Sequence, residues 1–224
     1  MRRSVEQIVR ECINEALLRK KIDTWKQRLS KKAKNFCNFN TETLPIAYGL
    51  DYMPQSKCKN PNVKQKQAQD FIYCIKRDND NYDNNQYQKV KSRAASFVVQ
   101  TLFRCFGNDV ANLVLVPIPT HDNQSNTRRW KELISTICGR CQAQNGFGHF
   151  QYKGETTPSH FNKGSISQEK KGVWDKQFFM QKDVVLRDDF LTTGQSMEKA
   201  KAELERMGAN VIMGIVFGKT ISDK

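Results

Sequence analysis

Apolar positions along the chain change period several times, and each change marks an element. Val5, Ile8, Val9, Cys12, Ile13, Ala16 and Leu17 recur at the three-and-four spacing of one helical face, and Ile22, Trp25 and Leu29 continue it, so residues 1–35 read as helix. From Asn35 to Asn62 the periodicity lapses among Pro45, Pro54 and Pro61, which predicts irregular structure. Phe71 to Ile75 is a short apolar run of β character, followed by an Asp- and Asn-rich turn. Val90, Ala94, Phe97, Val98, Thr101, Leu102 and Cys105 share one face of a helix that begins near Gln86 and stops at Gly107. Leu113 to Val116 is continuously apolar, as a strand covered on both faces must be, and Pro117 and Pro119 end it because neither offers an amide donor.

Trp130, Leu133, Ile134 and Ile137 return to helical spacing, and Phe147 to Tyr152 reads as a short strand. Gly154 to Gly172 is a long polar loop. Val184 to Leu186 forms a second buried strand, a helix runs from Gln195 to Met207 and ends at Gly208, and Val211 to Phe217 is a last strand. Strands that alternate with helices predict an α/β fold, a doubly wound and mostly parallel sheet, behind a basic helical N-terminal extension. The division drawn from these patterns is residues 1–62 for the extension and irregular segment, and 63–224 for the α/β domain.

Composition changes the picture chiefly through charge. The 224 residues carry a formal net charge of +14, and up to Asn35 there are eleven Lys or Arg against four acids, so half of the excess lies there. Among the eleven, Arg2, Arg3, Arg19, Lys20, Lys21, Lys31, Lys32 and Lys34 are the candidates for contact with nucleic acid. Two readings stand side by side: a solvated helix face, or an arm that meets nucleic acid without base specificity through phosphate neutralisation. No apolar stretch approaches the ~20 residues of a membrane span. Glu and Arg mixed among the first apolar residues are unlike a secretory leader, and the expected compartment is the cytoplasm. Seven cysteines, an odd and irregularly spaced set, fit a reducing environment. Cys37 and Cys58 lack close partners for a zinc site, and Cys138 with Cys141, though spaced as a redox or metal pair, sits on a helical pattern and reads as structural.

The chemistry concentrates in VVLRDDFLTTGQSM, from Val184 to Met197. Thr192 and Thr193 supply hydroxyls, Gly194 admits a close backbone approach, and Gln195 and Ser196 open a helix whose first amides point outward, which together make a phosphate cup. Asp188 and Asp189 stand at the carboxyl end of the strand, where open α/β sheets bind ligands. Two carboxylates beside a phosphate need another task, such as holding sugar hydroxyls or a divalent cation through its waters. Arg187, directly before them, either pairs with one acid or marks a site that has lost its chemistry.

RDDFLTTGQS resembles the 5-phosphoribosyl-1-pyrophosphate (PRPP) loop of type I phosphoribosyltransferases, in which an acidic pair contacts the ribose hydroxyls and a Thr-Thr-Gly turn cradles the 5′-phosphate. The resemblance places those roles on Asp188, Asp189 and Thr192 to Ser196, and implies that fold and Mg²⁺ held indirectly by the two acids. An apolar strand that ends in VPIP, with arginines beyond it, is similar to the ComF-like, competence-associated branch. There the following loop is expected to bind pyrophosphate, which falls on Pro119, Thr120 and His121, with Arg128 and Arg129 just beyond. FIYCIKRDND is similar to that branch's Lys-Tyr-Gly segment. TRRW stands where the branch has Arg-Gly-Phe-Asn, and its cysteine-rich zinc module is replaced by the basic helix. The resemblance spans about Phe71 to Lys219, and implies a hood within Asn35 to Asn62. It also implies a mobile lid at Gly154 to Gly172, with Thr156, Ser159, His160 and Lys163 in reach of pyrophosphate; an inert insertion is the other reading of that loop.

Three functions are expected on this basis: a phosphoribosyltransferase of nucleotide metabolism with an unidentified acceptor, a PRPP-sensing or DNA-uptake-associated protein without turnover, and an interaction module. Mg²⁺ and a sugar phosphate are the expected ligands; an oligomer is compatible with all three.

Overall fold

The computed structural model describes residues 38–40, 44–55, 58, 60–76, 83–152 and 172–221. The basic segment 1–35, Cys37 and the expected lid residues Thr156, Ser159, His160 and Lys163 lie outside the described residues.

Six strands form the main sheet: β1 (Asn38–Asn40), β2 (Ile46–Tyr52), β3 (Leu113–Pro117), β4 (Gln144–Asn145), β7 (Asp183–Leu191) and β8 (Asn210–Thr220). Their spatial order is β1-β2-β8-β7-β3-β4, and every pairing is parallel except that of β1 with β2. β5 (Phe150–Tyr152) and β6 (Gly172–Trp174) make a separate antiparallel pair. The helices are α1 (Val63–Lys76), α2 (Asn84–Phe106), α3, the short α4 (Lys176–Phe179) and α5 (Gln195–Arg206). α3 runs through Asn123–Asn126, a π-helical turn at Thr127–Lys131, and Glu132–Cys141.

Two expectations are corrected. Phe71 to Ile75 is the last part of α1 and not a strand. Asn62 accepts from the Gln65 amide at 2.9 Å while its own amide donates to Gln65 Oε1 at 2.9 Å, a reciprocal cap that starts the helix eight residues earlier. Ala68, Ile72 and Ile75 then fall inward at helical spacing, a period hidden when five apolar residues are taken alone. The segment from Asn35 to Asn62 is not irregular throughout, because Ile46–Tyr52 pairs with β8 inside the sheet. Pro45 and Pro54 flank this strand and cost it no ladder bond. The sheet therefore takes in residues N-terminal to position 62.

The sheet separates two cores. On one face Ile72 and Ile75 of α1, Val98 and Leu102 of α2, and Trp130, Leu133 and Ile134 of α3 pack on Leu113, Leu115, Val185, Ile215 and Phe217. On the other, Met197, Ala200 and Leu204 of α5 pack with Phe179 on Val114, Val116, Val184, Leu186 and Val216. This two-sided cover explains the unbroken apolar runs in β3 and β7. The chain is thus an α/β protein built on a mostly parallel sheet. At Gly214 a Cβ would lie 2.8 Å from Met197 Sδ and 3.2 Å from Ile46 Cγ1. Gly214→Val should cost about 1–3 kcal/mol through overpacking, read as an earlier urea midpoint with unchanged slope; an unchanged midpoint would show that the α5 seam has slack.

Candidate functional site

The chain diverges between β3 and β7. From β3 it passes through α3 to β4 on the outer side, and from β7 it passes through α5 to β8 in the opposite direction, with the two helices on opposite faces. A crevice at the carboxyl ends of two such strands is where open α/β sheets take ligands. The register sets Pro117 opposite Arg187, and the Ile118 amide donates to the Arg187 carbonyl at 2.7 Å. The end of β3 thus lies level with Arg187, and β7 continues four residues beyond it to Leu191.

The loop after β3 is braced from several directions. The Thr120 amide donates to Asn126 Oδ1 at 3.2 Å, and its hydroxyl donates to the Asp122 carbonyl at 3.0 Å. Asp122 caps α3 by accepting from the Ser125 amide at 2.7 Å, and its other oxygen lies 2.6 Å from His121 Nε2. Burial opposes the charge on Asp122, but the Ser125 amide and hydroxyl, His121 and the Gln124 amide hold its carboxyl below the usual value. Tyr152 of β5 donates its hydroxyl to the Thr120 carbonyl, and burial pushes its pKa up to about 12. Pro119, Thr120 and His121 are all part-exposed, so this loop can meet a ligand while its backbone is fixed.

α3 sorts its two arginines. Arg128 is exposed. Trp130 is fully buried and donates Nε1 to the Ile118 carbonyl at 3.0 Å, which pins the helix under the loop. Arg129, between them, brings Nη1 to 3.3 Å from Asp189 Oδ2.

The acidic pair lies inside β7, which runs on to Leu191, so the loop beyond it is only Thr192 to Gly194. Asp188 is half-buried, and its Oδ1 accepts from the Asp189 amide at 2.9 Å. Burial raises the Asp188 pKa well above the usual carboxylate range, and the neighbouring Asp189 raises it further. Asp189 is only 4 % exposed and points to the face of α1 and α3, with Lys76 Nζ 3.8 Å from the same oxygen that Arg129 approaches. Burial works against its charge as well, but the hydrogen bond from Asp188 and the nearby Arg129, Lys76 and Arg187 hold its carboxyl below the usual value. Arg187 is fully buried, with its guanidinium 3.6 Å from the centre of the Phe217 ring and Nη1 donating to the Ile215 carbonyl at 3.1 Å. Its Nε and Nη2 have no acceptor among the described residues, and burial draws its pKa down to about 9.

Beyond the strand, Thr192, Thr193, Gln195 and Ser196 are exposed and Gly194 is left-handed at φ +82°. The Glu198 amide donates to the Gly194 carbonyl at 3.0 Å, so α5 begins at this glycine and the amides of its first turn have no intrahelical acceptor. The structure thus brings Arg129 to Asp189, sets the loop after β3 and the Thr-Thr-Gly turn on neighbouring strands, and leaves Arg128 exposed on α3.

For Mg²⁺, the donor chemistry fits at Asp188, a part-exposed carboxylate able to hold the ion through water beside phosphate oxygens. Asp189 Oδ2 faces two cations and does not fit while they are there. Among the described residues there is no group of three or more His, Cys, Asp or Glu arranged to hold a metal. Cys138 and Cys141 are both buried, and burial raises the Cys138 thiol to about 12. No helix among the described residues is long and apolar enough to cross a membrane.

Sequence reading missed Lys76, Asp122, Asn126 and Tyr152. Asp122 had a legible signal, an acid three residues before Ser125 at a helix start. Lys76 was hidden by the strand reading of its helix. The site is that of an α/β protein with an exposed Thr-Thr-Gly turn and an acidic pair at a divergence of its parallel sheet. No protein-family model matches the chain, and no curated protein matches it either.

Proposed function

We propose that the protein binds PRPP, or a closely related sugar phosphate, in the crevice between β3 and β7. The observation that carries this reading is the exposed Thr192 to Ser196 turn at the start of α5, three residues beyond an acidic pair and beside the braced loop after β3. The turn receives the 5′-phosphate through hydroxyls and helix amides. Asp188, the more exposed acid, accepts from the ribose hydroxyls. Thr120, His121 and Arg129 face the pyrophosphate, where a planar guanidinium pairs with phosphate oxygens. Mg²⁺, when bound, neutralises pyrophosphate charge and orients it for departure. In a phosphoribosyltransferase the positive charge that develops on the sugar meets Asp188, and the departing anion meets the cations and amides, so electrostatics do most of the work and no general base is assigned.

The second reading keeps the ligand and drops the turnover, a PRPP-sensing protein on the same framework. Its support is the engagement of Asp189 by Arg129 and Lys76 above a fully buried Arg187.

Calorimetry with PRPP and Mg²⁺ tests both. Saturable binding is expected, weakened about tenfold or more by Asp188→Asn or by Thr193→Val, since each removes a hydrogen bond to a charged or polyhydroxyl group. Affinity indifferent to both changes would rule out this crevice. Release of pyrophosphate with a panel of acceptor amines then separates the enzyme from the sensor.

A further inference from the structure

We propose that the outer face of α2 and α3 is a docking surface for double-stranded nucleic acid, held through its phosphates and without regard to sequence. The inference stands apart from the sugar-phosphate reading, because it uses no residue of the crevice between β3 and β7. It is equally separate from the basic segment 1–35, none of whose residues it names.

Charge is sorted between the two sides of the sheet. α2 has four cations and no acid in its 23 residues, and α3 has four cations and a single acid, Glu132. On the other side, α5 has three of each sign and uses them as a solvated helix does, with Lys201 Nζ 2.8 Å from Glu205 Oε2 one turn on. α2 does the reverse. Lys89 and Arg93 are both exposed and stand four residues apart on one face, where like charges weaken a helix. A face meant only for solvent gains from mixed signs, whereas a uniformly basic one suits a polyanion.

Packing joins the two helices into one patch. Gln88 Nε2 of α2 donates to Glu132 Oε1 of α3 at 3.4 Å, and the buried Lys91 pairs with the same oxygen, so the one acid of the face is met from within. Lys89 and Lys131 adjoin these two contact residues in the chain. Further along, Arg140 of α3 crosses to α2, with Nη1 3.2 Å from Ser96 Oγ and Nη2 3.3 Å from Ser92 Oγ, beside Arg93. Both hydroxyls are neutral, so the guanidinium is positioned with its charge intact. Lys89, Arg93 and Lys131 have no ion pair among the described residues. Within the spans Lys89–Arg93 and Lys131–Arg140 the other exposed residues are Ser92, Glu132, Ser135 and Gly139. None is aromatic, so unpaired bases find nothing to stack on, and the contact is with the closely spaced phosphates of a duplex.

The test measures the affinity of the full chain for a short mixed-sequence DNA duplex over a range of salt concentrations. Three proteins are compared: wild type, the patch variant with Lys89→Gln, Arg93→Gln and Lys131→Gln combined, and an α5 variant with Lys199→Gln, Lys201→Gln and Arg206→Gln combined, which removes the same charge from the other side of the sheet. The patch variant should bind about tenfold or more weakly at low salt, and the slope of log affinity against log salt should become shallower by about 2–3, one phosphate for each cation removed. Lys89→Gln with Arg93→Gln alone, to be used should the triple variant not fold, should flatten the slope by about 2. The α5 variant should follow the wild type, as should Lys89→Arg with Arg93→Lys and Lys131→Arg, which keeps every charge. Four results would each overturn the proposal: a wild type that does not bind the duplex, a patch variant with the wild-type slope, an equal loss in the α5 variant, or tighter binding of a single strand than of the duplex. Loss of binding to phosphatidylserine vesicles with duplex affinity untouched would also overturn it and make the face a membrane contact.

Discussion

Asp189→Ala should lower the stability of the protein by about 3–5 kcal/mol, the range found when one partner of a buried ion pair is removed and its counter-charges stay behind. Asp189 is 4 % exposed, and its Oδ2 is the point on which Arg129 and Lys76 converge. Without it, two part-buried cations and the wholly buried Arg187 lose the carboxylate on which they converge, and burial works against the ionisation of the neighbouring Asp188. Urea denaturation should show the loss as a lower midpoint at constant slope. The effect should also fade in acid. The native carboxyl titrates below the usual aspartate value of 3.8, so its contribution is complete above that value and disappears as the pH falls through the native pKa. Wild type and variant should therefore converge once the pH has fallen below the native pKa of Asp189. A loss under about 1 kcal/mol at neutral pH would mean that water, and not Asp189, neutralises the cluster.

The opposite sign is expected one turn of the pleat earlier. Arg187→Met should leave stability unchanged or raise it by about 1–4 kcal/mol, because an apolar side chain of similar volume escapes the desolvation that a buried guanidinium suffers. Arg187 lies against Phe217 and Trp130, with ring centres 3.6 Å and 5.4 Å from its guanidinium carbon, so a thioether meets an apolar wall there. Nη1 donates to the Ile215 carbonyl at 3.1 Å, while Nε and Nη2 are buried with no acceptor among the described residues. That carbonyl can keep its ladder bond when the arginine leaves. A thermal shift upward, or none, is the expected readout; a loss of 2 kcal/mol or more (about 5 °C or beyond in Tm for a chain of this size) would show that Arg187 is a true counter-ion for Asp189. Together the two variants weigh the same cluster from either side.

Most of the framework could be read from the sequence where one period ran long. The face from Val90 to Cys105, the apolar run Leu113 to Val116 and the helix from Gln195 to Met207 are dictated by positions that must be buried, and each appears as expected, with α2 beginning at Asn84 under an Asp83 cap. Short runs misled. Five apolar residues at Phe71 to Ile75 fit either period, and only the reciprocal cap between Asn62 and Gln65 decides for helix. β2 was lost among prolines because IAYGLDY alternates weakly and carries a glycine at its middle. At the site, the order of Thr192, Thr193 and Gly194 announced an exposed turn, since no buried element would hold that sequence. What the order of residues could not convey is direction. Successive residues of an extended strand point to opposite faces, so Asp188 and Asp189, neighbours in the chain, part company. Arg187 obeys the same alternation and enters the core beside Trp130. The meeting of Lys76 with Asp189 joins positions more than a hundred residues apart and depends on where α1 ends.

The wide winding at Thr127–Lys131 has an outcome for how this chain can vary. A π turn holds one residue more than an α turn, and here it lets Trp130 anchor under Ile118 while Arg129 reaches across to β7. Remove a single residue from that stretch and the helix would tighten, rotating its first turn by about 100° relative to its remaining turns. Anchor and guanidinium could no longer both find their targets. Insertions and deletions should therefore be tolerated in the surface turns around this helix but not within these five positions, even though three of the five side chains, Thr127, Arg128 and Lys131, are solvent-facing.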